Sequence, residues 1–96
     1  MTPLEKDIEQ KLRQMVERHG GLCLKWVCPG RAGVPDRIVL LPGGRVVFVE
    51  LKRPKGGQLS KLQLWWADKL RQLGFEWWAI WSEYELHRFK QVLVTP

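Results

Sequence analysis

Asp36, Glu50 and Lys52 are the residues whose types and spacing could do chemistry. Asp36 stands at the entry to one apolar run, Ile38–Leu41, while Glu50 and Lys52 close another that contains Val46–Val49. Pro42-Gly43-Gly44 between the runs is a hairpin signature, and antiparallel pairing sets the start of one strand beside the end of its partner. Residues two apart on a strand share a face, so Glu50 and Lys52 project together while Leu51 points into the opposite layer. Two carboxylates converging with an ammonium are what metal-assisted phosphodiester cleavage requires. Hard oxygens hold Mg²⁺ with positions open for a phosphate oxygen and a water. A lysine beside them can orient or deprotonate that water, or offset charge in the transition state. Acid-any-Lys is a common pattern, and Glu9-Gln10-Lys11 repeats it. That second match falls inside a predicted helix, where residues two apart point about 200° apart and cannot share a site. The Glu50 match closes a buried strand, where a charged pair is costly unless it is used.

The elements that must position these residues follow from periodicity. Leu4, Ile8, Leu12, Met15 and Val16 mark one helical face, with Thr2 as N-cap, Pro3 at the first position and Gly20-Gly21 as the stop. Leu22–Cys28 reads as a strand, and Pro29–Gly33 as a loop. Asp36–Leu41 and Arg45–Lys52 form the hairpin, and their long apolar stretches predict strands covered on both faces. After the loop Arg53–Gln58, a helix opens at Ser60 and runs to about Leu73, with Leu62, Trp66, Leu70 and Leu73 on one face and Gly74 as its stop. Phe75–Trp81 reads as a buried strand reached by that crossover helix, hence parallel or nearly so to the third strand. Ser82-Glu83-Tyr84-Glu85 fits a capping box opening a last helix with Leu86 and Phe89. The expected fold class is α/β, a small mixed sheet flanked by helices in α-β-β-β-α-β-α order. Residues 1–96 should form a single domain, since so short a chain encloses one core.

Sixteen Lys+Arg against ten Asp+Glu give a net charge of +6, which favours a polyanionic partner. No apolar run reaches the roughly 18 residues of a membrane span, and Met1–Leu12 is too charged for a signal peptide. A membrane-surface role fits poorly, because no helix joins a strong apolar face to a dense basic one. Cys23 and Cys28 lie on opposite faces of the predicted strand, as structural thiols of a reducing cytoplasm would. His19 and His87 make no zinc-ligand pair with them.

The run Gly33-Val34-Pro35-Asp36-Arg37, then Val47-Phe48-Val49-Glu50-Leu51-Lys52, then Ser60 to Gln63, resembles the VRR-NUC family of the PD-(D/E)xK nuclease superfamily. The resemblance covers essentially the whole chain and matches the stand-alone form found in phages and bacteria. It implies a restriction-endonuclease-like core. It also implies that Asp36 and Glu50 bind the metal, Mg²⁺ or Mn²⁺, together with the backbone carbonyl of Leu51. Lys52 matches the catalytic lysine, and Gln63 the family glutamine that positions the metal water or phosphate. The family carries a first-helix glutamate, and the candidates here are Glu5 and Glu9. The centre of the apolar face lies about 50° from Glu5 and about 90° from Glu9. Glu5 is therefore the first choice, with Glu9 as ligand or water-binding alternative.

Arg31 and Arg37 bracket the Pro-Asp pair, while Arg53 and Lys55 follow the lysine. All four are expected on loops, contacting the DNA phosphates beside the scissile bond. Six tryptophans include the adjacent pairs Trp65-Trp66 and Trp77-Trp78. In the last strand Phe75, Trp77, Ala79 and Trp81 share one face and Trp78 and Ile80 the other. Exposed indoles such as Trp65 suggest an interface, hence a homodimer through the tryptophan-rich half. The expected activity is metal-dependent endonucleolytic cleavage of branched DNA, such as Holliday junctions or flaps. A linear-DNA or restriction-like nuclease of the same fold and a non-catalytic basic nucleic-acid-binding module are the alternatives. Acids set against the phosphates argue against a pure binder.

Overall fold

The structure, a computed structural model, describes residues 3–53 and 56–95. The expected N-cap Thr2 and the basic residue Lys55 lie outside the described residues, as does the side chain of Leu4. The order is α1 (Pro3–Arg18), β1 (Leu22–Lys25), β2 (Arg37–Leu41), β3 (Arg45–Leu51), α2 (Lys61–Gln72), β4 (Glu76–Ile80) and α3 (Glu83–Val94). This is the predicted sequence of elements. The sheet runs β1-β2-β3-β4, with the first two pairings antiparallel and β3-β4 parallel across the α2 crossover. No helix among the described residues is long and apolar enough to cross a membrane.

Alternation along the strands divides the interior into two layers. On one side Val39, Val47, Val49, Leu51 and Ile80 pack beneath Ile8, Leu12 and Val16 of α1 and Leu86 and Phe89 of α3. On the other, Phe48 and Trp77 pack beneath Ala67 and Leu70 of α2. The faces predicted for β4 hold: Trp77 and Ala79 join the α2 layer, and Trp78 and Ile80 the α1/α3 layer. Gly20, at φ +81°, ends α1, and the Gly21 amide donates to the Val16 carbonyl at 3.0 Å. The β2–β3 hairpin turns through Pro42–Gly44, with Gly43 and Gly44 at positive φ.

Four local expectations need correction. First, β1 ends at Lys25 rather than Cys28. Trp26 adds one further rung by donating to the Asp36 carbonyl at 2.9 Å, and the chain then turns away, with the Arg31 amide donating to the Cys28 carbonyl at 3.2 Å. Second, β2 is not covered on both faces, and β1 beside it is open on the same side. The helix α2 lies over β4 and β3, so Leu22, Leu24 and Leu40 remain exposed on the α2 side. Third, Leu62 and Leu73 are exposed, and Ala67 fills the α2 contact instead. Leu73 is the C-cap residue, already past the helical turn that faces the sheet. Fourth, the box at α3 is displaced by a residue. Ser82 Oγ accepts from the Tyr84 amide, and Glu85 accepts from the Trp81 amide and the Ser82 hydroxyl.

Candidate active site

The β2–β3 register pairs Arg37 with Val49, and one step further it sets Asp36 opposite Glu50. Both oxygens of the Asp36 carboxylate accept from the Leu51 amide, at 3.2 and 3.3 Å. The end of β3 therefore clamps the carboxylate that precedes β2. Glu50 shares the α2 side of β3 with Phe48, and its Oε1 accepts from the Gln63 amide nitrogen at 3.2 Å. Gln63 is held in turn by the start of α2. The Ser60 hydroxyl accepts from the Gln63 amide at 3.1 Å, and the Gln63 side-chain carbonyl accepts from the Ser60 amide at 2.8 Å. This is a capping box. Its signal, Ser-x-x-Gln at 60–63, was present in the sequence and not used there.

Burial and charge make the pair unusual. Glu50 is only 5% exposed, and its Oε2 is buried with no hydrogen-bond partner among the described residues. Burial first, then the facing Asp36 carboxylate, push the Glu50 carboxyl up to about 8, against the pull of Lys52 and Arg37. Burial also raises Asp36, offset by the Leu51 amide and by Arg37. An orphaned carboxylate oxygen beside a second carboxylate fits a hard cation, whose charge would replace the missing donors. Lys52 follows β3 and donates its amide to the Ile80 carbonyl at 3.0 Å, which extends the parallel ladder by one residue. Its ammonium is close enough to favour both ionised carboxylates.

The first-helix acids divide between two places. Glu5 lines a recess of about 300 Å³ with Leu51, Lys52, Arg53 and the Gly56–Gln58 loop. Glu9 reaches Arg37 and Arg13, each at 3.9 Å. Among the described residues neither joins Asp36 and Glu50 in a group of three acidic metal ligands. Glu9 faces Arg37 from the α1 side of the sheet, whereas Glu50 projects toward α2, so the sheet separates them.

The four basic residues were expected together on loops. Arg31 and Arg53 are exposed loop residues, and Lys55 is outside the described residues. Arg37 departs from that expectation. It opens β2 with its side chain buried, donating to the Asp36 carbonyl at 2.8 Å, and it balances Glu9 and Asp36. A buried guanidinium needs such partners, and its position brackets Asp36 from behind. The Arg31 guanidinium lies over the Trp66 ring, 5.1 Å from the centroid. Trp65 is the tryptophan that stands exposed, while Trp77 is core and the others are half-buried.

No protein-family profile matches the sequence. A protein of Acyrthosiphon pisum secondary endosymbiont phage 1 named "Putative nuclease p44" is 44% identical over 72 residues, which is 75% of this chain and 76% of the relative. A solved VRR-NUC domain superposes with a TM-score of 0.86 at 27% identity, covering 94% of this chain and 97% of that one. The structural neighbour shares the sheet and flanking helices that bring Asp36, Glu50 and Gln63 together, and the phage relative is named a nuclease. This chain belongs to the VRR-NUC family of nucleases.

Proposed function

We propose that the protein is a Mg²⁺- or Mn²⁺-dependent DNA endonuclease that hydrolyses phosphodiester bonds, with branched DNA as its preferred substrate and a homodimer as its working form. The observation that carries the reading is the buried Glu50 Oε2, without a donor and beside Asp36. Asp36, Glu50 and the Leu51 carbonyl would hold the ion, and Glu5, at the Lys52 recess, would receive one of its waters. Such an ion, when bound, supplies an acidified water and a Lewis acid for the phosphate oxygen.

The chain's own groups do the rest. Lys52 orients the attacking water and offsets charge that develops on the phosphate. Gln63 fixes the Glu50 carboxylate through its amide, as outer groups orient metal-binding carboxylates. The Leu51 amide fixes Asp36, and Arg37 supports the same residue from its carbonyl side. Arg31, Arg53 and Lys55 neutralise phosphates flanking the scissile bond, which gives affinity without base preference. The two free cysteines take no part, and burial pushes the Cys23 thiol up to about 11, as suits an inert thiol of a reducing cytoplasm.

The test is cleavage of a labelled four-way junction, a flap and a linear duplex, with and without Mn²⁺. The wild type should cut only with metal and should cut the junction or flap fastest. Lys52→Ala and Asp36→Asn should each lose about 10²–10⁴-fold in rate while keeping the fold and DNA binding. Equal cutting of all three substrates supports the linear-DNA alternative. Binding without any cutting supports a basic nucleic-acid-binding module. Wild-type rates in either variant would remove Asp36 or Lys52 from the chemistry.

A further inference from the structure

A second cleft lies against the loop that leads to Asp36, and apart from the phosphate contact of Arg31 its lining has no role in the chemistry derived above. Its volume is about 350 Å³, at the lower end of ligand-sized sites, and Gly30, Arg31, Ala32, Leu62, Trp65 and Trp66 line it. One wall is the outer surface of α2, where Leu62, Trp65 and Trp66 fall at three- and four-residue spacing. The other is the loop that carries Asp36.

The walls are fixed in place. The Trp66 indole N–H donates to the Ala32 carbonyl at 3.1 Å, and Leu62 sits so tightly on Gly33 that a Cβ there would approach it to 2.5 Å. Trp65 stands edge-to-face against Trp66, with ring centroids 5.2 Å apart. Trp65 as a residue is 48% exposed, whereas the other tryptophans are buried or half-buried. Arg31, stacked on Trp66, remains exposed, and Lys61 stands exposed at the start of the same helix. An exposed indole braced edge-on by Trp66, an apolar neighbour and flanking cations are what a base with its phosphate requires. Gly33 precedes Asp36 by three residues, at most about 10 Å of chain. That distance is about three steps of a stacked strand, and fewer of a splayed one.

We propose that this cleft receives an unpaired nucleobase of the DNA strand bound at the carboxylate pair, stacked on Trp65 while Arg31 holds its phosphate. The proposal rests on the nuclease reading and deepens it. It gives the enzyme a physical means to favour junctions and flaps, whose bases at the branch point can leave the stack, over intact duplex.

The test reads base stacking apart from cleavage and from phosphate attraction. Fluorescence anisotropy, without added divalent metal, compares a labelled thymidine oligonucleotide with an abasic phosphodiester of the same length. Both carry the same charge, so a difference in affinity isolates the base. The wild type should favour the thymidine strand about tenfold. Trp65→Ala should lower it to the abasic level, and Trp65→Phe should retain most of the preference. Equal wild-type binding of the two strands, or an unchanged preference in Trp65→Ala, overturns the proposal. So does a fall in sedimenting mass of Trp65→Ala with the preference intact, which would make Trp65 a subunit contact. Failure of the nuclease reading shows itself differently, as absence of cutting by the wild type with Mn²⁺.

Discussion

Gln63 answers to two structures at once, and the two can be separated by substitution. Its carbonyl closes the cap of α2 and its amide donates to Glu50. Gln63→Ala removes both, so urea unfolding should show a loss of about 1 kcal/mol together with weaker cleavage. Gln63→Glu keeps an acceptor for the Ser60 amide but sets a carboxylate against Glu50. Its stability should stay nearer wild type while cleavage falls about 10–100-fold. Equal rates in Gln63→Glu and wild type would reduce the residue to a helix cap. Glu50 yields a prediction of a different kind. Burial and Asp36 raise its carboxyl from 4.5 to about 8 in the folded chain. The native state therefore holds a proton that the unfolded chain releases between those pH values. Its contribution to stability is fully present below about pH 4.5 and is lost as pH rises through about 8. Without metal, the melting-temperature advantage of Glu50→Gln over wild type should grow across that window. Added Mn²⁺ must expel the same proton, so its stabilisation of the wild type should be larger above pH 8 than at pH 6, and absent in the variant. Parallel metal-free melting curves for the two proteins across pH would show that the Glu50 carboxyl is not raised, and equal Mn²⁺ stabilisation of both would leave Glu50 outside the metal site.

At the scale of elements, the site depends on how the loop before β2 meets the start of α2. Gly33 is at φ +85°, and a Cβ there would stand 2.5 Å from Leu62. Gly30 has nearly the same φ, +83°, but open space around it. Alanine at Gly30 meets only the backbone penalty, about 1 kcal/mol. Alanine at Gly33 must also move either α2 or the loop leading to Asp36, so it should destabilise further and slow cleavage more than Gly30→Ala does. Similar rates for the two variants would show that the approach to Leu62 does not hold Asp36 in place. The strand pairings behind this arrangement were legible in the sequence. Pro42-Gly43-Gly44 between two apolar runs gave the hairpin, and the hairpin alone brings Asp36 opposite Glu50. The length of α2 and the parallel partner of β3 followed from periodicity in the same way. What periodicity could not supply was reach. Leu22, Leu24 and Leu40 alternate as core residues do, yet α2 covers only the β3/β4 half of the sheet. Arg37 was misplaced for a related reason: charge suggests a loop, and the acids that allow its burial come from α1 and its own neighbour. The choice between Glu5 and Glu9 turned on tertiary partners that helical angles do not contain.

For the whole molecule, that uncovered half-sheet is the strongest argument for a dimer, and it moves the expected interface. Most of the tryptophans are spent on the two core layers, so the exposed apolar surface is mainly leucine. Leu22 and Leu24 of β1 and Leu40 of β2 lie on one face, continuous with Trp26 and Phe48, whose rings stand 5.2 Å apart. A contiguous apolar face on a small chain marks an interaction surface more often than a scatter of single residues does. The stripe runs away from the chemistry, because Leu22 pairs with Leu40 at the end of β2 opposite Asp36. A second copy seated there would bury the leucines and leave both carboxylate pairs open. A two-fold axis would then relate the two sites, as a symmetric four-way junction demands. Leu24→Lys places a charge at the centre of the stripe, on a side chain already 46% exposed, so the monomer fold should survive. Sedimentation equilibrium should give twice the 11.3 kDa chain mass for the wild type and the single mass for Leu24→Lys. The variant should still nick DNA with Mn²⁺, since no site residue is touched, but should lose the paired cuts that resolve a junction within one encounter. A wild type that sediments as a single chain would remove the dimer. A variant that stays double would move the interface off the leucine stripe, and the edge of β4, beside Phe75 and Trp78, would be the next surface to probe.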